Sequence, residues 1–246
     1  AECDELPKTS QPSPDTFMKV FNEAVAAGDD VLGIFISSDL SGTYQSACLA
    51  ALDVEEETGK KIYMVDSRSA WIGTALLIRE AVKLRDAGVN VADIAAACTE
   101  MSKYIKLTAV VGSLKYLKMG GRLSGAAAFA GTMLHITPVV SIEDGKVVVI
   151  GKTRGKKAAE KLMHDKLTKD GLSLTRDFMF GHINCSESLE TFINKSLTYI
   201  SDVNGNVGVS SIGCSVGTHV GPGTYGIAYV EAAESGMNRE SIVKTA

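Results

Sequence analysis

The sequence predicts an α/β protein of two domains, residues 1–105 and 106–246, and three observations point that way. In the first hundred or so residues, short apolar runs alternate with longer segments of helical periodicity, as a layered α/β unit requires. In the second half, strand-like runs meet across an Asp144-Gly145 turn and are then interspersed with helices, which marks a mixed, partly antiparallel sheet. A chain of 246 residues, 45% hydrophobic and 22% charged, has volume for a sizeable core and excludes wholesale disorder.

Pro14 to Ala27 reads as a helix because Phe17, Phe21 and Val25 share one face, with Ser13 as its cap and Pro14 in its first turn. Gly28-Asp29-Asp30 then leads into Val31–Ile36, an apolar run expected to form a strand buried on both faces. Ser41 to Glu57 is helical, Lys61 to Val65 a second strand, and Ala70 to Asp86 and Val91 to Tyr104 two helices broken at Ala87-Gly88. Leu107 to Val111 is a short strand and Lys118 to Arg122 a break. Ser124 is expected to cap a small-residue helix from Gly125 to Leu134. Ile136 to Ile142 and Lys146 to Ile150 form a hairpin, since Asp-Gly supplies the positive φ of a tight turn. A Lys-rich helix (Lys156 to Leu167), a strand (Asp177 to Ile183), a helix (Ser188 to Ser201) and strands at Val207 to Cys214 and Tyr225 to Val230 complete the reading.

Charge and cysteine content exclude several functions. With 25 Lys and Arg against 29 Asp and Glu, the net charge of −4 argues against a nucleic acid partner, which needs clustered cations. Cys3, Cys48, Cys98, Cys185 and Cys214 are far apart without a Cys-x-x-Cys pair, so neither a disulfide framework nor a zinc knuckle is expected. His135, His164, His182 and His219 show no metal-ligand spacing. Leu123 to Ile142 is uncharged, but Ser124, Thr132, His135, Thr137 and Pro138 make it a poor bilayer span. The acidic start, Ala1 to Glu5, has no apolar run of a signal peptide, and a cytoplasmic location is expected.

Three loops carry candidate chemistry. Ser37-Ser38-Asp39-Leu40-Ser41-Gly42-Thr43 follows an apolar strand and opens a helix, so its N–H groups and dipole suit a carboxylate or phosphate; taken alone, a plain helix capped by Ser41 is the commoner explanation, by about two to one. Lys8-Thr9-Ser10-Gln11-Pro12-Ser13-Pro14 gathers hydroxyls before the first helix. Ser215 to Gly223 reads as a glycine-rich turn leaving a strand, with His219 in it as donor or base. Lys152, Arg154, Lys156, Lys157 and Lys161 read as a solvated face, although Arg154 and Arg122, beside glycines, suit phosphate or partner contact. Gly221 to Gly226 fits G-x-G-x-x-G but precedes a strand, so the dinucleotide reading lacks its context. Ser41 sits in no G-x-S-x-G elbow.

Six motifs in order, Thr9–Ser13, Ser37–Ala47, Val65-Asp66-Ser67, Leu117–Ser124, Thr153-Arg154-Gly155 and His219–Gly223, make the chain resemble the DegV family, bacterial fatty-acid-binding proteins that present an acyl chain to a fatty acid kinase. The resemblance runs from Thr9 to about Val230. It implies a three-layer α/β/α domain with a parallel sheet, then a smaller α/β domain with a mixed, largely antiparallel sheet, and one long-chain fatty acid between them. By the family pattern Thr9 and Ser41, with Ser10 and Gly42, hold the carboxylate, His219 closes the hydrogen-bond network, and Arg122 and Arg154 lie near the rim where the kinase docks. The implied ligand is the fatty acid, with no cofactor, metal or catalytic residue. Implied partners are the kinase subunit and, transiently, a membrane surface. Family chains begin with a further strand and loop, whereas eight residues precede Thr9 here, so the first domain is expected to lack an N-terminal strand.

A palmitate-like chain buries about fifteen carbons at roughly 0.8 kcal/mol each, so the tunnel supplies affinity and the head group supplies register. Walls are expected from Gly125 to Ile142 and the apolar face of Trp71 to Ile78, with Gly125–Leu134 as a movable cover. Two other readings stand beside this one. A serine hydrolase of acyl esters would use Ser41, His219 and Asp66, and a phosphosugar or polyol binder would use the helix start at Ser41.

Overall fold

The computed structural model describes residues 6–123, 136–173, 175–200 and 205–232. Helix α1 (Pro14–Ala26), strand β1 (Val31–Phe35), α2 (Thr43–Thr58), β2 (Ile62–Asp66), α3 (Trp71–Asp86) and α4 (Val91–Met101) form three layers. β1 and β2 pair in parallel, from Val31 opposite Ile62 to Phe35 opposite Asp66. The alternation of side chains along a strand divides this sheet cleanly. Val31, Phe35, Ile62 and Met64 pack with Phe21, Ala47 and Val54 of α1 and α2, while Leu32, Ile34, Tyr63 and Val65 pack toward α3 and α4. β1 is half-buried throughout rather than buried on both faces, because it has a single strand neighbour among the described residues.

The second sheet comprises β3 (Ile105–Val110), β4 (Thr137–Glu143), β5 (Lys146–Thr153), β6 (Phe178–His182), β7 (Val207–Ser211) and β8 (Tyr225–Val230), in the order β5-β4-β3-β8-β6-β7. Only the β6–β7 pair is parallel. Helices α5 (Lys115–Met119), α6 (Lys156–Asp170), α7 (Ser186–Ser196) and α8 (Cys214–Val220) connect the strands. The two faces differ in kind. One carries Phe178, Phe180, Tyr225, Ile227 and Tyr229 and packs on Met163 of α6 and Phe192 of α7. The other carries the smaller Leu107, Ala109, Val140, Ile142 and Ala228 and turns toward α3.

Helix α3 joins the two sheets. Ile72, Leu76 and Leu77 are completely buried between β1 on one side and β3, β6 and β8 on the other. Arg79 Nε (2.9 Å) and Lys83 Nζ (2.5 Å) both pair with Asp177, and Arg176 pairs with the buried Glu80, which ties α3 to the start of β6. The β4–β5 turn behaves as Asp-Gly dictates, with positive φ at Asp144 (47°) and Gly145 (80°) and Glu143 opposite Lys146.

Two local expectations need correction, and a third holds in position but not in its bonding. Ser13 does sit at the N-cap of α1, but its hydroxyl bonds the Thr16 hydroxyl at 3.1 Å and caps no backbone N–H. Gly42, not Ser41, is the N-cap of α2. The expected strand through Cys214 stops at Ser211, and Cys214 opens α8 instead of continuing into a turn. The 2.8 Å bonds from Gly217 N to Gly213 O and from Gly221 N to Gly217 O hold this short helix, and Gly221 (φ 77°) ends it. The expected Gly125–Leu134 helix and cover lie outside the described residues. No described helix is long and apolar enough to cross a membrane.

Candidate functional site

Between the two sheets lies a cavity of about 400 Å³. Its walls are apolar: Leu107, Ala109 and Val111 along β3 and its exit, Val140 and Ile142 from β4, Val147 from β5, and Ala70 and Trp71 at the start of α3. Of the expected Trp71–Ile78 wall only Trp71 takes part. Ile72, Leu76 and Leu77 enter the core instead, and Ile78 is 44% exposed.

Polar groups gather where a strap, residues 9–12, crosses the cavity between α2 and α8. Thr9 Oγ1 lies 2.7 Å from His219 Nε2, and Ser46 Oγ on α2 donates to Pro12 O at 2.7 Å. Gln11 lies across Gly42, where a Cβ would meet its Nε2 at 2.7 Å, so glycine is what allows the strap to seat on the helix start. Ser41 Oγ accepts from Thr43 N (3.3 Å) and shares a 2.8 Å bond with Thr43 Oγ1. The helix start therefore keeps a hydroxyl partner two residues before its first turn, beside the positive end of the α2 dipole.

Arg122 supplies the cation. Its Nε donates to Leu40 O (3.1 Å) and its Nη1 to Gly120 O (2.7 Å), which holds the guanidinium against the cavity just beyond α5. Burial, then the nearby Arg122 charge, hold the His219 imidazole below its ordinary value of 6.5, so His219 is neutral at neutral pH. His219 Nδ1 is buried without a partner against Gly120.

Thr9, Ser10, Ser41, His219 and Arg122 thus all line one cavity, although sequence separations reach 210 residues. Gly42 stands behind them as the N-cap under Gln11 and is not part of the wall. Arg154 is exposed between β5 and α6 and is not among the lining residues. Sequence reasoning missed Gln11, Thr43, Ser215 and Thr224. Gln11 had a signal in the hydroxyl-rich segment around it. Ser215 opens the Ser215–Gly223 loop singled out in the sequence, but no role was read for it there.

The residues of the hydrolase reading do not form a relay. Ser41 bonds Thr43, His219 bonds Thr9, and Asp66 accepts from the backbone N–H groups of Ser38 (3.3 Å) and Arg68 (2.9 Å). Among the described residues no three His, Cys, Asp or Glu side chains gather as metal ligands.

Comparison with known proteins agrees with this architecture. The family model described as "Uncharacterised protein, DegV family" matches residues 1–232. The chain belongs to the DegV family. A DegV domain-containing protein of Clostridium acetobutylicum is 36% identical over 234 residues, covering 91% of this chain and 78% of its own. A DegV family protein from Thermus thermophilus, whose structure describes fatty acid binding, is 32% identical at a TM-score of 0.81, covering 91% of this chain and 79% of that one. The fatty acid kinase (Fak) B3 protein of Streptococcus pneumoniae, loaded with linoleic acid, shares the fold at 23% identity and TM-score 0.82, covering 93% of this chain and 79% of that one. The DegV architecture, an α/β layer with a parallel sheet beside a mixed six-stranded sheet, is the one this chain adopts.

Proposed function

We propose that this DegV protein binds one long-chain fatty acid in the inter-sheet cavity and offers its carboxylate to a separate fatty acid kinase, without catalysis of its own. The observation that carries the reading is the cavity itself: about 400 Å³, apolar along β3 and β4, with its hydrogen-bonding groups collected at one end. A phosphosugar or polyol would bring polar groups against Leu107, Val140 and Ile142, where nothing answers them.

The head-group chemistry follows from a neutral His219. With its proton on Nε2, the imidazole donates to Thr9 Oγ1, and the Thr9 hydroxyl proton is free to donate to the carboxylate. Ser41 and the first N–H groups of α2 donate from the other side, and Arg122 compensates the charge. Acyl phosphate formation then needs only that a kinase reach this end of the cavity. Arg122 is the residue positioned to meet the transferred phosphate, and the exposed Arg154 is a partner contact.

Denaturing mass spectrometry of lipid extracted from purified protein tests the first half, with one acyl chain per protein expected. Thr9→Ala with Ser41→Ala removes two bonds to an anion, each worth about 1.5–3 kcal/mol, and is expected to weaken retention at least tenfold. Retention equal to wild type refutes the assigned head-group site. With kinase and ATP the loaded protein yields acyl phosphate, and a chromogenic ester stays at background hydrolysis; ester turnover revives the hydrolase reading.

A further inference from the structure

We infer that Ile142 closes the tail end of the cavity and so sets which acyl chain lengths this protein accepts. The inference rests on the fatty acid reading above and deepens it by naming the residue that measures the chain.

The direction of the cavity follows from sheet register. Val110 pairs with Tyr225, so Val111, just past β3, lies at the end next to Thr224. Thr224 Oγ1 donates to Val220 O at 3.0 Å, which brings α8 and its His219 to that same end. The opposite end is the row Leu107, Ile142 and Val147, where β3, β4 and β5 stand side by side. Leu107 is four residues, about 13 Å, from Val111 along the strand direction. The head group and this row therefore occupy opposite ends.

A second cavity, of about 230 Å³, begins beyond that row. It reaches Ile105, which follows Leu107 on the same face of β3, and the β4–β5 turn at Asp144 and Gly145. Ile142 lines both cavities, and among the described residues no other is shared between the two linings. Only 6% exposed, it belongs to the apolar cluster with Leu107, Val140 and Val147, so its side chain is part of the partition between the two spaces. The spaces differ in kind. The first is apolar along this partition, whereas the second is charged: Arg68 pairs with Asp144 at 2.9 Å and Lys166 with Glu143 at 3.5 Å, with Lys103 and Lys106 beside them. An alkyl chain gains affinity with each carbon it buries until its methyl group meets Ile142. A longer chain must fold back within the cavity or press into hydrated ion pairs, and both are unfavourable.

The test titrates saturated acids, from decanoic to eicosanoic, calorimetrically into delipidated protein. In wild type, affinity is expected to rise about fourfold per added carbon up to one optimum and to fall beyond it. Ile142→Ala is expected to move the optimum to longer chains and Ile142→Phe to shorter ones. A side chain that merely holds the hairpin in place would lower affinity at every length together and leave the optimum where it was. A terminal hydroxyl adds a second readout, taken on an acid one step longer than the wild-type optimum. In Ile142→Ala the ω-hydroxy acid is expected to bind more tightly than its plain counterpart, because its end reaches the charged space. In wild type that hydroxyl meets Ile142, and the order is reversed. The wild-type measurements do not depend on a variant folding. Affinity that keeps rising across the whole series in wild type, an optimum that neither variant moves, or an ω-hydroxy preference unchanged by Ile142→Ala each overturn the inference while leaving the fatty acid reading intact. Binding of none of the acids brings down both.

Discussion

His219 shows how a single residue depends on staying uncharged. Burial and the facing Arg122 depress its pKa below 6.5, so the unfolded chain takes up this proton before the folded one does. Its contribution to stability is present above pH 6.5 and is lost as pH falls through the lowered folded value. His164, stacked between Phe192 and Tyr199 and bonded to Ser196 Oγ at 2.9 Å, is depressed chiefly by burial and adds a change of the same sign. The melting temperature is therefore expected to drop between about pH 7 and 5, and His219→Gln to drop less over that interval; parallel curves would remove His219 from the account. Cys98 is fully buried, and burial pushes its thiol up to about 12, whereas Cys214 is exposed at the start of α8. A thiol reagent is expected to label Cys214 in native protein and Cys98 only after unfolding.

At the level of elements, the β4–β5 hairpin is clasped across to the other sheet. Ser37 Oγ donates to Gly145 O at 2.7 Å, Lys146 pairs with Asp39 at 3.5 Å, and Arg68 with Asp144 at 2.9 Å. The two ion pairs are largely exposed and add little, so the Ser37 bond and the turn geometry do most of the fixing. Gly145→Ala puts a Cβ 2.6 Å from Ser37 Oγ at φ of 80°, and is expected to cost about 1–3 kcal/mol by chemical denaturation. Adding Ser37→Ala should recover the steric part and leave the backbone part. The same hairpin shows why some elements were legible and others not. Asp144-Gly145 writes its turn into two adjacent residues, so its register could be read directly. In α8, seven residues long, the interior Gly217 argues locally against a helix. The helix exists because packing overrides propensity, with Gly217 facing Ile183 and Ile212 and Thr224 Oγ1 donating to Val220 O at 3.0 Å. The cavity wall was legible at Val140, Ile142 and Trp71, but the inward turn of Arg122 depends on the Leu40 and Gly120 carbonyls, and no local pattern encodes those.

For the whole molecule, α3 decides cooperativity. Its buried residues pack against both sheets within one apolar cluster, so the two sheets are expected to unfold together. Leu77→Ala is expected to destabilise by about 2–5 kcal/mol, and tryptophan emission and far-ultraviolet circular dichroism should report one common melting transition. Two separate transitions would show that the sheets are independent.

The aromatic bulk of the six-stranded sheet, Phe178, Phe180, Tyr225 and Tyr229, lies wholly on the side away from the cavity, braced by α6 and α7. Anchorage and hollow are thus assigned to opposite sides of the same strands. Substitutions at Ala109 or Val140 can lengthen, shorten or bend the bore while the far side keeps the strands in place, so related proteins of this shape are free to diverge in their preferred cargo without rebuilding their frame.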